Sequence, residues 1–360
     1  MKNTYIVAGL MSGTSLDGLD IAICKFELKE NKWSYEILEA NTFEYDESRR
    51  NSLKNVMKGS AESLAKLDFD FGYFQGEAVK NFLDKLNISV DFISAHGHTI
   101  FHQPENRFTT QIGNGAALAS ASGYPVVCDF RSLDVALKGQ GAPLVPIGDK
   151  LLFKEFDFCL NLGGIANISY DDNSGKRIAF DICPANMILN LLAAQKGHLF
   201  DRGGALAKVG SLNKKLLETL SQIEYYSQSI PKSLGKEHVD NLFIPLLENT
   251  EDSIENLLNT FCHHIAEKIT DIIKKNKISD HTKVLITGGG AFNEFLVGLF
   301  QEKSGNDIEF IVPEAKIVSF KEALIFAFLG TLRWRNEVNS LSSVTGSMKD
   351  NCGGAIYLAP

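Results

Sequence analysis

The opening stretch of the chain, residues 6–24, places a turn of small and hydroxylated residues between two apolar strands. Glycines in the turn let a ligand approach the backbone, and successive N–H groups in such a turn can bind an anion. Ser12, Thr14 and Ser15 add hydroxyl donors, and Asp17 adds a carboxylate that can hold a phosphate-bound metal ion. We therefore predict a phosphate-binding hairpin. The alternative is a tight turn whose hydroxyls satisfy only its own backbone.

A second hairpin of the same kind lies in the middle of the chain, at residues 158–170. An apolar strand meets a turn at Gly163 and Gly164 and returns as another apolar strand. Each hairpin begins a stretch of alternating strands and helices, which favours a duplicated α/β architecture with the two tips facing across a cleft. Two unrelated hairpins are the alternative.

Hydrophobic periodicity and turn residues divide the rest of the chain into elements. The helices are predicted at 47–57, 61–86, 116–122, 253–276 and 321–335, and the strands at 33–41, 90–96, 125–130, 177–180, 283–287 and 308–312. A Gly- and Pro-rich segment at 135–143 indicates a domain boundary nearby. We expect a first domain over 1–130 plus about 336–360, and a second over 131–335.

Asp181 is the candidate general base. The strand at 177–180 is predicted to end at this residue, and Pro184 suits the first turn of the helix that follows. Asp181 would then lie near the positive end of the helix dipole, which favours the ionised carboxylate that a general base needs. A helix-capping aspartate is the alternative interpretation of this pattern.

Three consecutive glycines, Gly288, Gly289 and Gly290, follow the strand at 283–287 and precede another helix. Such a turn lets a flat or phosphorylated group rest against the backbone at a helix N-terminus. The turn is neither a P-loop, which needs a following Gly-Lys-Ser/Thr, nor a Rossmann fingerprint.

Composition excludes several classes of partner. A net charge of −8 argues against nucleic acid and against an anionic membrane surface, and no apolar run reaches membrane-spanning length. Six cysteines are scattered singly, which is typical of reduced thiols in a cytoplasmic protein, and the N-terminus leads directly into a strand without a signal peptide. We expect a cytoplasmic protein with a small-molecule substrate.

Motifs along nearly the whole chain resemble those of the anhydro-N-acetylmuramic acid kinases. They lie at 9–20, 96–99, 111–114, 129–131, 139–146, 161–167, 231–237, 288–293, 322–324, 343–346 and 354–357. The resemblance implies the actin/hexokinase-type (ribonuclease H-like) α/β fold, with two related domains and an ATP cleft between them. It also implies a homodimer.

The resemblance further implies a reaction in cell-wall sugar recycling, in which ATP and water convert 1,6-anhydro-N-acetylmuramic acid to N-acetylmuramic acid 6-phosphate and ADP. Asp181 matches the general base of the family, and Mg²⁺ is expected to bridge the phosphate oxygens. The family's ATP-phosphate loop is matched by Gly13, Thr14, Ser15, Leu16, Asp17, Gly18, Leu19 and Asp20. By analogy with the fold, the nucleotide site is completed by Gly163, Gly164, Gly288, Gly289 and Gly290.

Two further residues are candidates for binding the sugar. Arg131 could pair with the lactyl carboxylate, since a guanidinium fork matches that anion, or it could form an ion pair at the domain boundary. Glu322 could orient the attacking water, or it could be an exposed helix charge. The imidazoles at positions 96, 98 and 102 raise the idea of zinc, but no cysteine or carboxylate pair joins them at ligand spacing, so sugar binding or packing is favoured.

The chain departs from the family pattern at three positions. Cys183 and Ala185 replace glycines in the run that follows Asp181, and Gly203 stands where the family often carries an acidic residue. These changes leave two alternatives to the anhydro-sugar kinase. One is a kinase of the same fold for another sugar, and the other is a sensor that binds sugar and nucleotide without turnover.

Overall fold

The computed structural model describes residues 2–13 and 16–359 of the chain. Its strands are β1 (Thr4–Ser12), β2 (Gly18–Lys29), β3 (Lys32–Glu44), β4 (Phe92–Gln103), β5 (Phe108–Ile112), β6 (Val126–Cys128), β7 (Phe158–Leu162), β8 (Ile165–Asp171), β9 (Arg177–Pro184), β10 (Thr282–Thr287), β11 (Ile308–Ile311) and β12 (Ala355–Tyr357). Both predicted hairpins are therefore present, as β1–β2 and β7–β8.

Helices α2 and α11 lie where periodicity predicts them, α13 begins six residues before its predicted start at 321, and several short helices were not predicted. The helices are α1 (Glu47–Asn55), α2 (Ala61–Leu86), α3 (Gly115–Ser122), α4 (Ser132–Ala136), α5 (Val145–Leu152), α6 (Asn186–Ala194), α7 (Ala205–Val209), α8 (Lys214–Ser221), α9 (Lys236–Leu242), α10 (Ile244–Glu248), α11 (Ile254–Asn276), α12 (Glu294–Ser304), α13 (Ala315–Trp334) and α14 (Ser342–Thr345). No helix among the described residues has the length and apolar content that a membrane crossing needs.

The chain forms two compact units, Met1–Leu152 with Phe320–Pro360, and Phe153–Ser319. These divisions differ from the predicted ones at 130/131 and 335/336. Helix α5 stays with the first unit because Asp149 forms a buried ion pair with Lys321 of α13, at 2.8 Å. Gly148 also lies so close to Ile325 that an added Cβ would come within 2.7 Å of that side chain.

The sheets of the two units have the same topology. The first runs β3-β2-β1-β4-β6 and the second β9-β8-β7-β10-β11, with β5 and β12 added to the first. In each, three antiparallel strands are followed by strands parallel to the first one. The prediction of a duplicated α/β architecture is confirmed.

Each sheet is covered by helices that bury a separate core. In the first unit, the face of β1 carrying Ala8 and Leu10 packs on α2. The opposite face packs on α13, where Gly9 lies so close to the helix that a Cβ would meet the Ala323 carbonyl oxygen at 2.0 Å. In the second unit, α6, α11 and α12 pack on the sheet, and Phe261 and Phe300 are fully buried.

Two strands continue past their predicted ends. Strand β4 does not end at Gly97 but runs to Gln103, because Gly97 adopts a φ of +78° and forms a bulge opposite β1. Strand β9 does not end before Asp181 but runs to Pro184, and α6 begins at Asn186. Sequence alone indicated a turn at these points, whereas pairing to the neighbouring strands keeps both segments extended.

Candidate active site

The buried hydroxyl group of Ser12 fixes the end of β1 next to the tip of the first hairpin. The Ser12 Oγ lies 2.9 Å from Nδ1 of His98 and accepts a hydrogen bond from the Tyr45 hydroxyl at 2.7 Å. Leu16 has a φ of +60°, and its N–H donates to the carbonyl of Gly13 at 3.3 Å. The predicted ligands Thr14 and Ser15 lie outside the described residues.

The other predicted residues of this loop divide into two groups. The Asp17 side chain is exposed and, with Leu16, lines a cavity of about 550 Å³ beside α1. Gly18 is required by the fold, since a Cβ would meet the Phe43 carbonyl oxygen at 2.6 Å, and the Leu19 side chain is fully buried. Gly18 and Leu19 therefore present backbone only.

Asp20 follows on β2, and its carboxylate accepts a hydrogen bond from Thr42 at 2.6 Å. Burial raises the pKa of this carboxyl group, the Thr42 hydrogen bond opposes the rise, and the charge of Asp17 adds to it. Two carboxylates near one turn repel each other, and a cation bound there would relieve that repulsion. The pair fits a phosphate-bound Mg²⁺, although no group of three or more metal-ligating side chains gathers in the described residues.

Arg131 forms no domain-boundary ion pair in the described residues; its guanidinium instead contacts neutral groups of the first unit. Nε donates to Nε2 of His96 at 2.9 Å, and Nη1 donates to the carbonyl of Gly141 at 2.6 Å. Burial and the Arg131 charge hold the pKa of His96 well below its usual range, so the ring is the neutral acceptor that this bond requires. These bonds fix the plane of the guanidinium and leave the Nη2 donors for a ligand.

Glu322 on α13 belongs to the same electrostatic group. Desolvation raises the pKa of its carboxyl group, Arg131 opposes the rise and Asp20 adds to it, although the residue has solvent-exposed surface. The structure thus brings Glu322 within electrostatic range of the predicted sugar ligand and of the phosphate loop. The side chain is exposed, so the alternative of an exposed helix charge stays open.

The three imidazoles of the first unit have separate partners. Because of the bulge at Gly97, His98 packs on Phe71 of α2 and His96 packs on Phe326 of α13, on opposite faces of the sheet. His102 bonds to Thr109, with Nδ1 3.1 Å from the hydroxyl oxygen. The described residues therefore do not converge on a zinc site, and packing with hydrogen bonding explains these side chains.

In the second unit, the hairpin tip lies against the start of α6. The carbonyl of Gly163 accepts from the N–H of Asn186 at 3.1 Å, and the carbonyl of Gly164 accepts from Ala185 at 2.8 Å. An added Cβ at Gly163 or Gly164 would find no atom closer than 3.4 Å. The fold therefore tolerates a side chain at both positions, and glycine leaves their backbone open to a ligand.

The predicted glycine turn joins this tip. Gly288 has a φ of +79°, and a Cβ there would meet Oδ1 of Asn161 at 2.6 Å. Gly290 is as tightly packed, with Leu162 Cβ at 2.7 Å, whereas Gly289 has no neighbour closer than 3.8 Å. Gly163, Gly164 and Gly289 thus form an uncovered backbone surface that suits a phosphate or a flat base.

Asp181 lies on β9 at a second bulge. Asn167 pairs with Asp181 and Ala166 pairs with Cys183, which leaves Ile182 without a partner on β8. Bulges of this kind redirect a side chain from the regular alternation of the strand. Asp181 Oδ2 accepts a hydrogen bond from the Leu234 N–H at 2.9 Å, and Oδ1 has no hydrogen-bond partner among the described residues.

The surroundings of Asp181 suit proton transfer. Burial raises the pKa of its carboxyl group, and the Leu234 hydrogen bond opposes the rise. A carboxylate whose pKa lies above its usual range is a stronger base, and its free oxygen can accept a proton from water. The alternative of a helix cap is wrong, because α6 begins five residues later and its N-cap, Ala185, has no capping side-chain hydrogen bond.

Of the three departures from the family pattern, two are buried in the core of the second unit and the third faces open space. The side chains of Cys183 and Ala185 are completely buried in the core of the second unit, and burial raises the pKa of the thiol. Cys183 is therefore a packed thiol and not a nucleophile. Gly203 has a φ of +64° with no atom within 4 Å of an added Cβ.

Two features of the site were missed in the sequence. Asp134 is fully buried, and its carboxylate accepts hydrogen bonds from Ser340, Thr345, Asn351 and the Gly141 N–H. The segment 225–234 contacts Asp181. Its motif at 231–237 was noticed, but nothing in the sequence indicated which residue it contacts.

Comparisons with known proteins identify the family of this chain. Residues 4–359 match the family model described as anhydro-N-acetylmuramic acid kinase. The anhydro-N-acetylmuramic acid kinase of Aliivibrio fischeri is 33% identical, with 98% of each chain covered. The enzymes of the same name from Sulfurimonas denitrificans and Francisella tularensis subsp. novicida are 31% and 32% identical, covering 99% and 96% of this chain and 100% and 97% of their own. The chain belongs to the anhydro-N-acetylmuramic acid kinase family.

Proposed function

We propose that this enzyme uses ATP and water to convert 1,6-anhydro-N-acetylmuramic acid to N-acetylmuramic acid 6-phosphate and ADP. Family membership over nearly the whole chain supports this activity. The observation that carries the mechanism is the half-buried Asp181 carboxylate, which has one oxygen held by a backbone N–H and the other free.

Asp181 acts as the general base. Its free oxygen accepts a proton from water while the water oxygen attacks the anomeric carbon, and the bond from that carbon to the bridging 6-oxygen breaks. The released 6-oxygen then attacks the γ-phosphoryl group. Burial raises the pKa of Asp181, which strengthens its carboxylate as a base.

The nucleotide is bound by backbone in preference to side chains. Residues 13–20 would bind the phosphates, and Gly163, Gly164 and Gly289 offer uncovered backbone to the rest of the nucleotide. ATP supplies the transferred phosphoryl group, and Mg²⁺ neutralises charge on its oxygens. Asp17, whose carboxylate is exposed, would hold that ion directly or through water.

Arg131 and Glu322 act on the sugar. The guanidinium, fixed by His96 and Gly141, offers its remaining donors to the lactyl carboxylate of the substrate. Glu322 orients the attacking water by accepting one of its hydrogen bonds. The protein works in the cytoplasm as a homodimer, in the recycling of cell-wall sugars.

Mass spectrometry of the product tests this reaction. The enzyme is incubated with the anhydro sugar, ATP and ¹⁸O-labelled water, and early samples are analysed. We expect the label on the sugar of the phosphorylated product and none in the transferred phosphoryl group. Label in free phosphate without a sugar phosphate, or phosphorylation of ordinary hexoses alone, would contradict the proposal.

A further inference from the structure

A short segment of the second unit holds Asp181 on three sides. The Asp181 N–H donates to the carbonyl of Lys232 at 3.1 Å, and its carbonyl accepts from the Tyr225 hydroxyl at 2.6 Å. Its carboxylate accepts from the Leu234 N–H at 2.9 Å. Residues 225–234, which we call the clamp segment, therefore contact both the main chain and the side chain of the predicted base.

The Lys232 side chain joins the end of the clamp segment to its beginning. The Lys232 ammonium donates to the carbonyl of Tyr225 at 2.9 Å and to that of Tyr226 at 3.4 Å, and it lies 4.4 Å from the centre of the Tyr225 ring. These carbonyls lie in the 3₁₀ turn Glu224–Ser227, where a cation is favourable. Lys232 forms no ion pair among the described residues, and the carbonyls of this turn are the hydrogen-bond partners of its ammonium group.

The clamp segment is also fixed to α11. The Tyr226 hydroxyl lies 2.6 Å from Nε2 of His264, which is fully buried. The 3₁₀ turn is thus held by the core of the unit, and Lys232 transmits that position to the two residues that contact Asp181. The Leu234 side chain packs in the core cluster that contains Tyr225, and the ammonium adds a direct polar link between residue 232 and the turn.

We propose that Lys232 is a positioning residue for Asp181: by closing the clamp segment, its ammonium places the Leu234 N–H against the carboxylate. This inference rests on the proposed role of Asp181 as general base. Lys232 touches neither substrate nor carboxylate and acts through the main chain of the segment. Its loss would let Leu234 withdraw and free the carboxylate to rotate.

The pH dependence of turnover is the readout. A hydrogen bond to a carboxylate favours the ionised form, so losing the Leu234 bond raises the pKa of Asp181 and moves the acid limb of kcat/KM to higher pH. The charge of Asp181 acts on Cys183 and Tyr225, and the clamp segment adds Tyr226 and Lys232. Burial raises the pKa of Cys183 and Tyr225, so both stay protonated across the acid limb.

The test compares Lys232→Met with Lys236→Met. Lys236 is exposed, four residues further along, and paired with Asp240. For Lys232→Met we expect a roughly tenfold lower kcat, a KM for ATP within about twofold, and an acid limb about one pH unit higher. Lys236→Met should leave all three unchanged.

A second variant separates positioning from folding. Lys232→Cys treated with 2-bromoethylamine carries an ammonium at nearly the original place, and treated wild type is the control. Recovery of kcat and of the acid limb supports the proposal. A lower kcat with an unmoved acid limb, in either variant, or no recovery after alkylation overturns it. Activity that survives Asp181→Asn would instead reject the proposed function itself.

Discussion

Asp134 and Asp181 are two carboxylates, one in each unit, with opposite surroundings. Asp134 is fully buried, and both of its oxygens accept hydrogen bonds, from three side chains and one backbone N–H. Asp181 is half-buried, and one of its oxygens accepts a single backbone bond. The first carboxylate is saturated by the fold, whereas the second keeps the capacity to accept a proton. A carboxylate whose two oxygens both accept hydrogen bonds within the protein serves the fold, whereas one with a free oxygen can take part in a reaction.

The same distinction applies to the glycines. Gly9, Gly18 and Gly290 are packed so tightly that a Cβ would overlap protein atoms. Gly163, Gly164 and Gly289 have room for a side chain but carry none. The packed glycines serve the fold, and the open ones leave backbone available to a ligand. Of the four predictions below, which run from the largest effect to the smallest, the first three test this division and the fourth concerns a buried histidine.

Asp181→Asn should have the largest effect. The amide cannot accept a proton from water, so kcat should fall about a thousandfold, which corresponds to about 4 kcal/mol of barrier. Nucleotide affinity, measured by calorimetry, should stay within about twofold, because the carboxylate contacts Leu234 and not the open glycines. Turnover near the wild-type rate would remove Asp181 from its role.

The same substitution at Asp134 should act on stability. An amide at this position presents N–H groups to donors that need an acceptor, so the free energy of unfolding should fall by about 3 kcal/mol. Asp181→Asn should change it by less than about 1 kcal/mol. Denaturant unfolding of the two variants measures the difference. Equal losses of the free energy of unfolding in the two variants would show that the hydrogen bonds to Asp134 do not stabilise the protein.

Neighbouring glycines provide the third comparison. Gly290→Ala should destabilise the protein by about 2 kcal/mol, because the new methyl group overlaps Leu162. Gly289→Ala should cost less than about 0.5 kcal/mol and instead weaken nucleotide binding. Thermal unfolding and nucleotide titration of both variants check this. Unchanged nucleotide affinity in Gly289→Ala would separate that glycine from the nucleotide site.

His264 gives a prediction about pH. Burial, assisted by the charge of Lys268, lowers its pKa from 6.5 to about 3. Between pH 6.5 and about pH 3, the unfolded chain therefore binds a proton at His264 and the native protein does not. The free energy of unfolding thus falls as the pH drops below 6.5, by up to about 1.4 kcal/mol per pH unit.

His264→Gln removes the group that binds this proton in the unfolded chain, and the glutamine side chain keeps a hydrogen-bond partner for the Tyr226 hydroxyl. The dependence of the free energy of unfolding on pH, measured between about pH 6 and pH 4, should flatten by about 1.4 kcal/mol per unit. His263→Gln is the control, since that residue is only half-buried and should change the slope less. An unchanged slope in His264→Gln would contradict the low pKa.

Much of the fold could be predicted from local pattern. Helix α2 begins and ends where its apolar spacing and its cap residues indicate, and both hairpins are where apolar runs flank small residues. The ends of β4 and β9 could not be predicted, because bulges at Gly97 and Ile182 depend on the neighbouring strands. The short helices α7 to α10 carry too few residues for their periodicity to be recognised.

The candidate site was predicted as a set of residues but not as an arrangement. Asp181, Arg131 and the glycine turns were identified from motifs, and the structure brings the open glycines together within the second unit. The partners of Arg131 were not foreseen, because His96 and Gly141 are distant in sequence and carry no charge to suggest pairing. Asp134 was missed for the same reason.

The sequence by itself determined the residue types, the duplicated hairpins and the family, because these depend on local order and on long motifs. Only the tertiary structure decided which chemically identical groups remain free. Asp134 and Asp181, or Gly289 and Gly290, cannot be told apart by type. The difference arises from partners far along the chain, which saturate one group and leave the other accessible to a ligand.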